Sequence, residues 1–321
     1  MIDATGDKCA DCHSLWPMDR MIELTAAAEN EENQQKHFAC FLFFPVLAMS
    51  IILVLPALFG VCFAKSVNTK PIVTSSSTYA YAVDLDKPVP KAAFTCMKNK
   101  GISTAIIRAY GPSNGGNLDE NAVNNIRNAD QAGLGTEVFM TPVPQSKSNK
   151  TGSQQFRELF EGLKAGNITI RAMWLQVVSP KDWGSKVDNN IYLLNDIISM
   201  AKYYGVRVGI YSSAYDWKQI TKNAIVENAM LWYWKVNGGG AKGETPANFN
   251  DFVPFGKFTK ATMKQYGQTE ELCGVTLNKD VYEVKKAKLL KLTDLKGKKD
   301  DELIAGRIGS DLFGAVAVPA A

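Results

Sequence analysis

Residues 38–64 hold no charged side chain and are almost wholly apolar, and that run constrains the chain more than any other feature in it. Its 27 residues, from Phe38 to Ala64, are long enough to cross a bilayer as a helix, with Pro45, Pro56 and Gly60 along the way. Two readings stand side by side. The segment is a signal-anchor that stays, or a signal peptide cut at the small-residue site near Cys62-Phe63-Ala64, ahead of Lys65. Met18 and Met21 offer internal starts that would shorten the 37-residue leader. Charge does not orient the segment, because Arg20 and Lys36 on one flank match Lys65 and Lys70 on the other. The glycosylation sequons Asn149-Lys150-Thr151 and Asn167-Ile168-Thr169 point to an extracellular or lumenal domain, either secreted or tethered as a single-pass membrane protein.

After the hydrophobic run come 257 residues, enough for one large domain with a sizeable core. Charge is divided unevenly. Residues 1–37 carry eight acids against Lys8, Arg20 and Lys36, a net of −5, so the rest of the chain carries +9 of the overall +4. A moderately basic domain suits anionic partners such as bacterial walls, and equally an ordinary soluble surface. No compact basic stripe interleaved with aromatics is present, so no nucleic-acid partner is expected. Cys9-Ala10-Asp11-Cys12-His13 has haem-attachment or half-zinc spacing, but no second Cys/His pair follows it in the acidic leader, and no metal is expected.

Residues 1–37 therefore read as a polar leader and 65–78 as a Ser/Thr-rich linker. Beyond it, β-branched and aromatic runs alternate with helical patterns. Strands are expected at Tyr79–Asp84, Ser103–Tyr110, Thr136–Pro142, Ile168–Val178, Val206–Tyr211, Met230–Trp234, Thr262–Tyr266 and Gly274–Tyr282. Helices are expected at Leu118–Ala132, Gln154–Lys164 and, most clearly, Asp188–Tyr204, with Asp188 able to cap its start and Gly205 placed to end it. Such alternation predicts an α/β fold of the TIM-barrel type, with a doubly wound open sheet as the competing architecture. No G-x-G-x-x-G or Walker sequence follows the first strand, so no nucleotide cofactor is expected. Residues 283–321 form a Lys-rich tail, read as solvated or disordered, with a basic amphipathic helix as the alternative.

Specific strings carry more. Tyr81-Ala82-Val83-Asp84-Leu85, Ile107-Arg108-Ala109-Tyr110, Met173-Trp174-Leu175, Trp183-Gly184-Ser185 and Gly205-Val206-Arg207-Val208-Gly209-Ile210-Tyr211 occur in order. Leu231-Trp232-Tyr233, Pro254-Phe255-Gly256, Lys264-Gln265-Tyr266 and Cys273-Gly274-Val275 follow them. The series over residues 79–282 resembles glycoside hydrolase family 25, the Chalaropsis-type lysozymes, in the form found in invertebrates such as nematodes. The resemblance implies a flattened, irregular (β/α) barrel that cleaves the β-1,4 bond between N-acetylmuramic acid and N-acetylglucosamine, with peptidoglycan or a related polysaccharide as partner. It also implies an Asp closing the first strand, an Asp-x-Glu pair on the fourth and an Asp on the last, because glycoside hydrolysis needs a proton donor and a stabilising negative charge.

On this chain the first of those acids is Asp84, while the fourth strand reads Trp174-Leu175-Gln176-Val177-Val178. Gln176 and Val178 stand where the family has its acid pair, and Asn278 is aligned with the last Asp. Valine has no proton to give, and losing general-acid assistance costs about 10²–10⁴ in rate. Gln176 and Asn278 preserve size and hydrogen bonding without charge. Asp182, Asp188 and Glu137 are the acids considered as replacements, with a surface role favoured for the two in the loop, and Arg108 is a structural partner for Asp84.

Tyr110, Trp174, Tyr211 and Trp232 fall near strand ends, where flat aromatic faces suit sugar CH surfaces and where core packing explains each singly as well. Cys96 on the first helix and Cys273 beside the last strand become neighbours when such a barrel closes, so a disulfide is expected. The expectation is a lysozyme-like protein with impaired catalysis that binds glycan in host defence. The alternatives are an active muramidase using Asp84 with a recruited acid, and a non-catalytic structural or signalling ectodomain. Oligomeric state is not legible in the sequence.

Overall fold

The computed structural model describes residues 78–284 and 303–307. The leader, the hydrophobic run and the linker up to Ser77 lie outside the described residues, among which no helix is long and apolar enough to cross a membrane.

In chain order the elements are β1 (Thr78–Leu85), α1 (Lys91–Asn99), β2 (Ile102–Gly111), β3 (Asn117–Leu118), α2 (Ala122–Gln131), β4 (Gly135–Met140), α3 (Gly152–Ala165), β5 (Ile168–Ile170), β6 (Ala172–Gln176) and α4 (Val187–Tyr203). There follow β7 (Arg207–Ser212), α5 (Ala214–Thr221), β8 (Met230–Trp234), β9 (Met263–Leu272), β10 (Val275–Val284) and β11 (Leu303–Ala305). β1, β2, β4, β6, β7, β8 and β9 run parallel, and β10 closes the barrel by pairing antiparallel with both β9 and β1. A mixed α/β fold with an eight-stranded closed barrel results, which excludes the open sheet.

Strand parity divides the apolar residues into two layers. Ala82, Ile106, Phe139, Trp174, Tyr211, Trp232 and Tyr282 fill the inside of the barrel. Val83, Ile107, Val138, Leu175 and Ile210 face the helices, whose buried stripes include Phe94 and Met97 of α1 and Leu194, Ile197 and Ala201 of α4. The barrel is irregular because no α-helix separates β8 from β9, and β9 turns directly into β10.

Three local expectations are corrected. The run Ile168–Val178 is two strands, because the chain turns at Arg171, whose backbone N–H donates to the Ala305 carbonyl at 3.0 Å. Leu118 belongs to β3, and the helix begins only at Ala122. Asp188 does not cap α4; Lys186 holds the cap position, without a side-chain bond, and exposed Asp188 sits in the first turn. Gly205 does end that helix, in the left-handed conformation with φ of 72°.

Within the Lys-rich tail, Leu303–Ala305 pairs parallel with Ile168–Ile170, so this stretch packs onto the domain. Gly306 follows it at φ 83°, where an added Cβ would lie 2.3 Å from the Ala172 carbonyl oxygen. Cys96 and Cys273 form a disulfide with Cα atoms 6.0 Å apart, joining α1 to the β9–β10 turn as expected.

Candidate active site at the barrel mouth

The C-terminal ends of the parallel strands open onto a cleft of about 330 Å³ whose lining includes Asp84, Arg108, Thr141, Gln176 and Asn278. β10 runs the other way, so its early residues form the rim and later ones lie deeper. The register places Asn278 opposite Asp84 and Asp280 opposite Ala82. Residues 278 and 280 share one face, and Asp280 is fully buried behind Asn278.

These groups form one hydrogen-bonded unit. Asn278 Oδ1 accepts from the Thr269 backbone N–H at 3.0 Å, which turns its amide nitrogen towards Asp84, and Nδ2 donates to Asp84 Oδ1 at 2.9 Å. Trp232 Nε1 donates to Asp280 Oδ1 at 2.9 Å. The other oxygens, Asp84 Oδ2 and Asp280 Oδ2, are buried with no further protein donor. The two carboxyls lie close enough that charge on Asp84 disfavours charge on Asp280.

Burial pushes the Asp84 carboxyl up to about 7, the Asp86 charge adds to the rise, and the bonds from Asn278 and Asp280 oppose it. Burial and then the Asp84 charge push Asp280 well above the carboxylate range. Both carboxyls are thus harder to ionise than free ones, and the pair titrates above the ordinary carboxylate range. Sequence reasoning missed Asp280; its only signal was the period-2 spacing from Asn278.

Across the cleft, Gln176 Oε1 accepts from Thr141 Oγ1 at 2.5 Å, while half-buried Val178 packs against the barrel-interior cluster. A second missed acid stands close to it in structure. Asp216, in the first turn of α5 and buried, accepts from Trp234 Nε1 at 2.8 Å and Ser213 Oγ at 3.0 Å. It also bonds the backbone of Ser179, the residue after Val178. Burial raises its pKa while those bonds lower it.

The four candidate aromatic residues do not line this cleft. Trp174, Tyr211 and Trp232 pack together inside the barrel, with Tyr211 and Trp232 centroids 4.1 Å apart and tilted, and Trp174 and Trp232 centroids 5.8 Å apart and edge-to-face. Tyr110 leaves the interior altogether. A register shift between Arg108 and Tyr110 turns it to the helix side, where its hydroxyl donates to Glu158 of α3 at 3.2 Å. Trp174, Tyr211 and Trp232 are packed into the barrel interior, and Tyr110 into the layer between barrel and helices.

Arg108 does not pair with Asp84 either. Its guanidinium bridges Asp86 at 2.9 Å and Asp119 at 2.8 Å. Glu137 is buried and accepts from Trp174 Nε1 at 3.2 Å, and exposed Asp182 pairs with Lys147 at 3.1 Å. Asn149 and Asn167 are both exposed. Among the described residues no group of His, Cys, Asp and Glu side chains could hold a metal ion.

A family model described as Lys-1, lysozyme-like protein 1, matches residues 75–266. Lysozyme-like protein 1 of Caenorhabditis elegans is 46% identical over 222 residues, which cover 68% of this chain and 74% of that protein. A probable GH family 25 lysozyme, number 2, of Dictyostelium discoideum is 29% identical over 202 residues, covering 62% of this chain and 89% of its own. Among solved structures, a muramidase from Acremonium alcalophilum shares the fold with a TM-score of 0.51 at 14% identity, over 68% of this chain and all of that one.

Proposed function

This chain belongs to the lysozyme-like protein 1 family, of GH25 type, and from that premise we propose a muramidase-like protein that binds peptidoglycan or a related glycan with hydrolysis at or near background. One observation carries the reading. The mouth keeps a polar ring of Asp84, Asn278, Gln176 and Thr141, able to exchange hydrogen bonds with sugar hydroxyls, while Val178 offers only methyl groups where the family's acid belongs. Asp84 and Asp280 lie together on one wall, and no carboxyl faces them from position 176 or 178 across the cleft. A role in host defence and an extracellular or lumenal location go with this reading, the location supported by the disulfide.

The test is paired. The protein should sediment with peptidoglycan yet leave the turbidity of a cell-wall suspension unchanged, and Gln176→Asp with Val178→Glu should raise lysis above the wild-type level. Absence of both binding and lysis in either form would favour the structural or signalling ectodomain.

A second reading, an active muramidase, is favoured by Asp216, whose carboxyl is bonded to the backbone just past Val178. Under that reading Asp216 supplies the proton from α5 rather than from β6. Wild-type lysis that disappears in Asp216→Asn while peptidoglycan binding persists would establish it; three donors on this carboxyl argue for a pinning role instead.

A further inference from the structure

A cavity of about 520 Å³ opens on the outer wall of the barrel, away from the mouth, between α3, the start of β5 and the end of α4. Its floor is aromatic. Phe160 and Tyr204 have ring centroids 4.4 Å apart, and both lean on buried Phe156, at 6.1 and 5.8 Å. Lys164, Asn167 and Thr169 give it a polar edge. Asn167 is exposed, sits in the turn between α3 and β5 at φ 55°, and begins Asn167-Ile168-Thr169.

A sugar such as N-acetylglucosamine has an apolar CH face and an acetyl methyl, with hydroxyls around the edge. That distribution matches an aromatic floor with a polar margin. The Cys96–Cys273 disulfide adds an independent observation, because such bonds form in the oxidising compartments where asparagine is glycosylated. We propose that Asn167 carries an N-linked glycan whose first N-acetylglucosamine rests on the Phe160–Tyr204 floor.

In the transfer step Asn167 Nδ2 bonds to the anomeric carbon of a lipid-diphosphate-linked oligosaccharide. The anomeric carbon–oxygen bond breaks, the lipid diphosphate leaves with that electron pair, and the amide nitrogen gives up one proton; nothing is oxidised or reduced. Asn149 provides the contrast: Thr151 of its sequon is the N-cap of α3, accepting from the Gln154 N–H at 3.2 Å, and Asn149 is not part of the aromatic cavity.

The test uses the full chain secreted from cultured eukaryotic cells and trimmed by an endoglycosidase that leaves one N-acetylglucosamine. Peptide mapping should find that sugar on Asn167. The trimmed protein should melt about 2–4 °C above the Asn167→Asp chain, which keeps a residue tolerant of the left-handed turn. That gap should close when Phe160→Leu and Tyr204→Leu remove the floor; if the double variant is not secreted, Tyr204→Leu alone makes the comparison. An unoccupied Asn167 overturns the proposal. Equal melting of the trimmed and Asn167→Asp proteins overturns the seat on the aromatic floor.

Discussion

Asn278 and Asp280 project from the same face of β10, Asn278 opposite Asp84 at the rim and the carboxyl of Asp280 one pleat deeper. Period-2 spacing is visible in a sequence, but depth is set by the antiparallel register with β1, which no local pattern encodes. Asp84 was therefore legible as a mouth residue while its buried partner was not. The pair has a measurable consequence. Both carboxyls titrate higher in the folded chain than in the unfolded one, so the native state holds more protons between about pH 4 and 7. The Asp84 contribution is complete below the unfolded value and is lost as pH rises through about 7, costing on the order of 1–4 kcal/mol, and Asp280, also raised, acts in the same direction. Urea midpoints should accordingly fall from pH 4.5 to 7.5. In Asp280→Asn the decline should be shallower, because one of the two raised groups is gone; a profile unchanged by that substitution would show that Asp280 does not titrate above an ordinary carboxyl.

At the scale of elements, the strands were legible because β-branched and aromatic runs recur between helical patterns, and Met230–Trp234 has the expected bounds. What the pattern leaves open is which side of a closed barrel a strand residue faces. Trp174 and Trp232 read equally well as a sugar platform or as core until neighbouring strands set the curvature, and a single bulge sends Tyr110 to the opposite layer. Packing inside the barrel is tight where β6 meets β7. A Cβ on Gly209 would come within 2.5 Å of the Trp174 ring, which edge-to-face contact with Trp232 keeps in place. Gly209→Ala should therefore cost about 1–3 kcal/mol through overpacking, read as a lower denaturation midpoint, although the backbone there is ordinary strand. Restoring the native midpoint with Trp174→Phe in the same chain would assign the cost to that ring.

For the whole molecule, the covalent link between α1 and the β9–β10 turn spans 177 residues of sequence. In the chain-entropy account such a link removes about 3–5 kcal/mol of freedom from the unfolded chain. Cys96→Ser with Cys273→Ser should lower the melting temperature by roughly 6–20 °C while leaving the far-ultraviolet circular dichroism of the folded domain unchanged. The pairing was readable once a barrel was expected, because closure brings the first helix and last strand together. The role of β11 was not, since a Lys-rich tail offers no hint that Leu303–Ala305 pairs with β5 in a small two-stranded sheet of its own.

The same link makes most of the barrel a covalent ring. Helices α2 to α5 and strands β2 to β9 all lie between the two cysteines. A protease that severs one loop in that interval opens the ring without releasing either piece. A singly nicked molecule would keep its mass under non-reducing conditions and divide into two fragments only when the disulfide is reduced.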